Sequence, residues 1–548
     1  MRLITSFLIV LLFAPFLSIA QDFDFELSSP YEVIDAEEKE YFYNDGEILS
    51  VKVREKKNII TIQKWDAESM KEISRKEYTD APDKFQFESL QEFDGNYYMF
   101  YSVWDKANKK EQCFVRRIDF QSGTFSDKGT LLFKIDGKVT EAFAGGLTAG
   151  GFFGMKFQVR NKFNIEKSFD GSKVLIQYRK KPTERNDDLN YDIIGFNVYN
   201  SEMEEISREE IKMPYTEAKM NNLDYAIDSK GHMYVLSLVY LNDKQRLKNK
   251  DGSIGYKIEL LRIDEGSAEL TKTPVEVGQY YLNEVQLYNQ SDDQMLCAGF
   301  YTTGRNLDNA DGVIMFKVDE AGEISDMQTY EIPVEVLNMY MKERQQKKNE
   351  KKDSKGKAEF AELKMRHVIT NADGSMILIG EQHYVVRHET TNSQGQSRTY
   401  YTYHYNDMLI TKINADGDMA WMKKLGKRQT GKGNSPVARQ GGMSFKYFRN
   451  ADSHYLMFLD NVKNKDLGLD QRPKGHSDGQ GGFFTAYKLD DETGDISKVN
   501  LFDVRDVKGM EVYQFQINRI VQTSETEFVV EVYKKKKEDV MIKVRVKV

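Results

Sequence analysis

Cysteine is nearly absent from this chain: Cys113 and Cys297 are the only two in 548 residues. A disulfide-stapled scaffold is thereby excluded, and a chain of this length builds a core large enough to do without one. Proline is scarce as well, at 9 residues, and 40% of the residues are apolar, which excludes a disordered or polyproline chain. Charge of neither sign dominates: 78 Lys and Arg stand against 86 Asp and Glu, a net of −8. A general nucleic-acid binder would carry an excess of positive charge, so no nucleic-acid partner is expected. Beyond residue 20 no apolar stretch approaches the ~20 residues that a membrane-spanning helix needs.

What is present begins with a processing signal. Met1 and Arg2 make a short basic start, Phe7 to Phe13 is an unbroken apolar run, and Ser18-Ile19-Ala20 sets small residues at a cleavage site. Residues 1–20 are expected to be removed after Ala20, leaving 21–548 as a periplasmic or secreted protein. Gln21 follows the site, so no Cys is there to carry a lipid.

A repeat then runs through the chain about eight times. Each unit has an alternating apolar segment, a turn of Asp, Gly, Asn or Ser, a dense apolar strand, a variable loop, a third strand, an acidic turn and a fourth strand. Asp45-Gly46, Asp94-Gly95, Asp170-Gly171 and Asp373-Gly374 mark first turns; Asp264 to Gly266, Asp319 to Gly322, Asn414 to Gly417 and Asp490 to Gly494 mark second turns. Asp-Gly between apolar runs is a hairpin signal that asks for positive φ at both central residues. Four antiparallel strands per unit, repeated this often, predict an all-β fold: a single β-propeller of about eight four-stranded blades. Seven blades is the alternative if a terminal unit is irregular, and two smaller β domains the runner-up architecture. The last unit shows three strands, and Phe23 to Ile34 is placed to supply the missing outer strand and close the ring. Cys113 and Cys297 fall three units apart, too far for the ~5.5 Å of a disulfide, so two free buried thiols are expected.

The stretch from Asp407 through Lys412, Asn414, Asp416 and Gly417 to Trp421 resembles a repeat of exported bacterial β-propellers. Phe169-Asp170-Gly171-Ser172-Lys173-Val174-Leu175 resembles the strand-turn of Tol-type periplasmic propellers. The resemblance implies the fold and is nearly silent on function, because propellers host enzymes and pure binding platforms alike.

Long insertions gather after the second strands and between units, which topology puts on one side of a propeller, while the other side has short acidic turns. Such a side is the usual binding face of a repeat protein. It is also basic. Residues 341–358 hold eight Lys or Arg against three acids, and 426–442 hold Lys427, Arg428, Lys432 and Arg439 with no acid. Lys463, Lys465, Arg472 and Lys474 follow in the segment 461–482. These eight residues, four from each of the last two segments, are the candidate binding residues, and their field would steer an anionic partner to this face. A charged, partly helical insertion is expected at about 335–364, where Val336, Leu337, Met339, Tyr340 and Met341 begin an amphipathic pattern.

Signals for chemistry fail in context. Gly475-His476-Ser477-Asp478-Gly479 has the spacing of a hydrolase nucleophile elbow but reads as a loop after Arg472-Pro473-Lys474. Gly145, Gly146, Gly150, Gly151 and Gly154 lack the Gly-Lys-Ser/Thr of a phosphate loop. His383, His388 and His404 on one hairpin could face a zinc ion, though cross-strand pairing with the nearby tyrosines explains them better. Asp416-Gly417-Asp418 and Asp490-Asp491 lack the ligand spacing of a calcium loop. No catalytic residue, metal or cofactor is assigned. The expected function is a non-catalytic binding or scaffold propeller of the cell envelope or secreted space, holding an acidic protein surface or an anionic polysaccharide. A hydrolase or lyase acting on glycans or peptides at the propeller mouth is the alternative.

Overall fold

The computed structural model describes residues 23–546 except 141–160, 183–188, 292–293, 304–305, 355–357, 372, 392, 434–442, 451, 478–480 and 535–536. The expected leader at 1–20 and the glycine-rich stretch at 145–154 lie outside the described residues. Among the described residues eight sheets of four or more strands, antiparallel but for one short parallel pair in the sixth, follow one another along the chain, and Asn309–Ala310 and Phe360–Ala361 form a small two-stranded sheet besides. The fourth is a typical unit: Met220–Ile227, Met233–Tyr240, Tyr256–Ile263 and Leu270–Val275 pair in sequence order. Every residue of its second strand is buried, which is why that strand reads as a continuous apolar run and not as an alternation.

The turns explain the pairing. At Asp45-Gly46 and Asp94-Gly95 both residues have positive φ, 45° and 80° in the first and 47° and 76° in the second, as a two-residue hairpin demands. At Asp170-Gly171 and Asp373-Gly374 only the glycine does, contrary to the expectation for an Asp-Gly pair. These turns are longer, and side chains satisfy their amides: Ser172 N donates to Asp170 Oδ1 at 3.0 Å and Lys173 N to Ser168 Oγ at 3.0 Å.

The core lies between sheets. Leu49 and Val51 of the first sheet pack with Leu90 and Met99 of the second; Val174 of the third packs with Phe100; and so on through the seventh. Ile48 and Trp65 of the first sheet then pack with Val529 and Met541 of the eighth. The first strands of several successive sheets lie side by side, among them Met220–Ile227 and Tyr281–Ser291. This is the all-β propeller architecture read from the repeat.

The eighth sheet draws on both ends of the chain. Phe23–Leu27 pairs with Glu538–Val546, Phe25 opposite Val544. A buried polar knot joins this sheet to the first: Glu531, fully buried, accepts from Lys52 Nζ at 2.5 Å, Lys39 Nζ at 3.1 Å, Tyr31 Oη at 2.7 Å and Tyr41 Oη at 2.6 Å. Both cysteines are free and buried. Between the fifth and sixth sheets stand two helices, α1 (Val334–Asn338) and α2 (Glu343–Asp353). Leu337 of α1 is buried between those sheets, whereas α2 buries none of its side chains. No helix among the described residues is long and apolar enough to cross a membrane.

Candidate functional site

The second and third strands of the sixth sheet, Met376–Thr391 and Ser397–Ile413, run well past their neighbours. Residues 384–400, whose composition reads as a loop, are a paired extension from Tyr384↔His404 to Thr391↔Ser397. Valine, threonine and tyrosine are dense there, and these side chains favour a pleated, half-buried surface. Gln429–Lys432 pairs alongside, Thr402 opposite Lys432, and His476–Ser477 pairs parallel to it. Within Gly475–Gly479, read as a loop, His476 and Ser477 are thus in a short strand, while Asp478 and Gly479 lie outside the described residues; His476 N donates to Arg428 O at 2.8 Å, and Asn464 anchors the approach by bonding Lys474 at both O and N. The described parts of the two basic segments thus meet on one small sheet.

That sheet has a closed face and an open one, because side chains alternate along strands. Tyr403, Tyr405 and Met443 pack together on the closed face. The open face is a half-exposed ladder of rings and hydroxyls. Tyr384 stacks on His404 at 4.6 Å and His388 on Tyr400 at 4.6 Å. Thr402 Oγ1 lies between them, 2.9 Å from His388 Nε2 and 3.1 Å from His404 Nε2. Burial, then His388 and Arg428, lower the pKa of His404. The candidate zinc histidines are therefore engaged in cross-strand pairs, and no cluster of three metal-ligating side chains occurs among the described residues.

At the root of the open face lies a cavity of about 150 Å³, lined by Tyr340, Gln382, Tyr384, Asn406, Asp407, Arg428 and Arg472. Arg428 Nη1 reaches Pro473 O at 3.5 Å, and neither arginine has a carboxylate partner among the described residues. Asp407 is already engaged, Oδ1 by the Lys427 amide at 3.2 Å and Oδ2 by Lys424 Nζ at 3.3 Å. Tyr340 is held just past α1 at φ +63°, only 7% exposed, and its hydroxyl has no hydrogen-bond partner. Burial, then Asp407, push its pKa up to about 12 against the nearby Gly426 amide, so it remains a proton donor. Two planar guanidinium forks and side-chain amides form a donor-rich receptacle for an anionic group.

Lys427 must be withdrawn from the exposed binding residues. Its side chain is fully buried, and Nζ donates to Glu381 Oε1 at 2.6 Å, Gln429 Oε1 at 3.0 Å and Tyr405 O at 3.1 Å. Glu381, equally buried, also accepts from Arg366 Nε at 2.9 Å and Ser444 Oγ at 2.7 Å. Burial alone would raise the Glu381 carboxyl; Lys427 and Arg366 overcome it and hold it at about 2. The lysine points inward to the buried Glu381 carboxylate, a direction that composition does not reveal.

The other candidates divide. Arg428 and Arg472 share the cavity, and Lys432 is exposed beside the ladder. Lys463, Lys465 and Lys474 are exposed on the loop that leads to His476, Lys465 lying over the Phe483 ring at 5.3 Å. Arg439 lies outside the described residues. Sequence reasoning missed Tyr340, Tyr384, Gln382 and Asn406. It also missed four first-strand carboxyls. Burial raises Glu40, Glu88, Glu166 and Asp224 each to about 7, with Glu38 adding to the effect at Glu40 and Asp224 at Glu166. An acid in the first strand of a unit is the one signal that could have pointed to them.

No protein-family model and no curated protein matches the chain. Among solved structures it is similar to a post-proline cleaving enzyme from Rickettsia typhi, at 10% identity and a TM-score of 0.36 over 92% of this chain and 58% of that one. It is similar also to an acylaminoacyl peptidase of Pyrococcus horikoshii, at 10% identity and 0.35 over 91% and 57%. The WD40 domain of SCAP from fission yeast aligns at 7% identity and 0.36 over 96% and 95%. The chain spans under three-fifths of the length of the two peptidases. Likeness at this level carries no functional argument.

Proposed function

We propose that the eight sheets close into one ring and that this propeller is an exported, non-catalytic binding platform whose loop side holds an anionic partner. One observation carries the reading: Arg428 and Arg472, from different sheets' connections, converge on one cavity without a carboxylate partner. Guanidinium groups brought together and left unpaired are matched by an incoming carboxylate, sulfate or phosphate. Lys432, Lys463, Lys465 and Lys474, exposed on the two segments that carry these arginines, add charge that steers the approach. The test is capture of partners by residues 21–548 from the envelope of the native cells, eluted with a salt gradient. A partner that leaves at moderate salt, and that the Arg428→Ala/Arg472→Ala variant does not hold, supports the platform, since exposed charge contacts are screened over ~8–10 Å. Capture indifferent to both salt and the variant refutes it.

A second function, hydrolysis or elimination at the propeller mouth, is favoured by the four first-strand carboxyls near 7, where a general acid works best. Turnover of a glycan or peptide that Glu88→Gln or Asp224→Asn abolishes would establish it; no turnover across both substrate classes would dismiss it.

A further inference from the structure

The cavity is too small for a protein surface and is continuous with something longer. At about 150 Å³ it takes a single charged group and its immediate neighbours. Its charges define that group. Two arginines favour an anion, but Asp407 lines the same wall, which works against a doubly charged phosphate. A planar monocarboxylate fits the guanidinium forks, and hydroxyls beside it find acceptors in Asp407 and the side-chain amides of Gln382 and Asn406. Tyr340, largely buried, closes one wall of the cavity.

Tyr384 belongs to the cavity and also begins the open ladder. From Tyr384 to His388 the strand covers about 13 Å, at ~3.3 Å per residue. Along it the surface offers a ring pair, the Thr402 hydroxyl and a second ring pair, ending at Tyr400, which is 42% exposed. Rings with polar edges alternating with hydroxyls suit a chain that has apolar C–H faces and hydroxyls at every step, whereas an acidic peptide needs only the charge. Lys432 flanks this path opposite Thr402.

We infer that the cavity and the ladder together form a subsite for an acidic polysaccharide, one uronic-acid carboxylate seated between Arg428 and Arg472 and the following sugars laid along the hairpin toward Tyr400. This rests on the platform reading and names its ligand.

The test is calorimetric titration of residues 21–548 with oligogalacturonate, uncharged oligogalactan and poly-glutamate. Oligogalacturonate should bind, uncharged oligogalactan should not, and poly-glutamate should bind at least tenfold more weakly. Arg472 and Tyr400 are exposed, so their removal leaves the fold intact, which the urea midpoint verifies. Arg472→Ala should weaken oligogalacturonate about tenfold or more and Tyr400→Ala several-fold, while Lys71→Ala, an exposed lysine in a turn of the first sheet, changes nothing. Poly-glutamate binding as tightly as oligogalacturonate overturns the assignment in favour of an acidic protein. So does oligogalacturonate binding that neither variant changes. Envelope capture that depends on Arg428 and Arg472, without any uptake of oligogalacturonate, overturns the sugar and leaves the platform standing.

Discussion

Glu381→Gln should be one of the most damaging conservative changes in the sixth sheet. Both Glu381 and Lys427 have no side-chain exposure, so the substitution leaves an ammonium buried among neutral acceptors only: Tyr405 O, Gln429 Oε1 and the amide oxygen that replaces the carboxylate. Removing one partner of a buried pair costs about 3–5 kcal/mol, because the remaining charge is left uncompensated. The pair itself is worth less than that figure: burial lowers the Lys427 pKa, so part of what the carboxylate gains the lysine loses. Glu381→Gln/Lys427→Met should therefore recover about 2 kcal/mol of the single variant's loss. Urea unfolding followed by tryptophan fluorescence reads this, Trp421 standing in the same sheet and Trp65 and Trp104 in the first and second. The pH dependence has a definite sign. A carboxyl held at about 2 in the fold and near 4.5 unfolded gives stability that is fully present above the unfolded value and is lost as pH falls through about 2. That is about 3 kcal/mol, so wild type and Glu381→Gln should run parallel above pH ~5 and converge toward pH ~2. A single variant within about 1 kcal/mol of wild type at pH 7, or a double variant no more stable than the single, refutes the reasoning.

Three further outcomes are expected. Gly494 sits at φ +67°, and a Cβ there would lie 2.7 Å from the Trp421 ring, whose Nε1 donates to Asp491 O at 3.2 Å; Gly494→Ala should cost about 1–3 kcal/mol and shift the tryptophan emission. Asp224, raised to about 7 by burial, keeps its proton in the fold while the unfolded chain ionises from about pH 4, which drains stability between about pH 4 and 7; Asp224→Asn should raise the melting temperature at pH 8 relative to wild type and leave it nearly unchanged at pH 4. Burial pushes the Cys113 and Cys297 thiols up, so an aromatic disulfide reagent should find neither in the native protein and both after denaturation.

The fold was legible because its signals are local. Asp45-Gly46 or Asp94-Gly95 between apolar runs specifies a turn without reference to anything distant, and repetition turns eight such turns into an architecture. Site residues depend on direction, which is not local. Lys427 and Arg428 are neighbours with the same charge in the short connection between Met419–Leu425 and Gln429–Lys432, yet one is buried against Glu381 and the other lines the cavity. A clue to the first lay elsewhere: Glu381 directly follows the apolar run Met376 to Gly380, and an acid in such a strand calls for a buried cation. The histidine–tyrosine pairing was readable from hairpin symmetry, whereas Tyr340 was not, because its place depends on how α1 docks between two sheets.

Phe23 finds its partner at Val546, at the far end of the chain. At ~5–20 residues per second, synthesis of the intervening chain takes roughly half a minute to nearly two minutes. Throughout that interval Phe23, Phe25 and Leu27 form an apolar strand with no mate, and the outward side of the first sheet has no eighth sheet to cover Ile48 and Trp65. A pairing between strands this far apart in sequence is slow to form and open to capture by another chain's Glu538–Val546 strand.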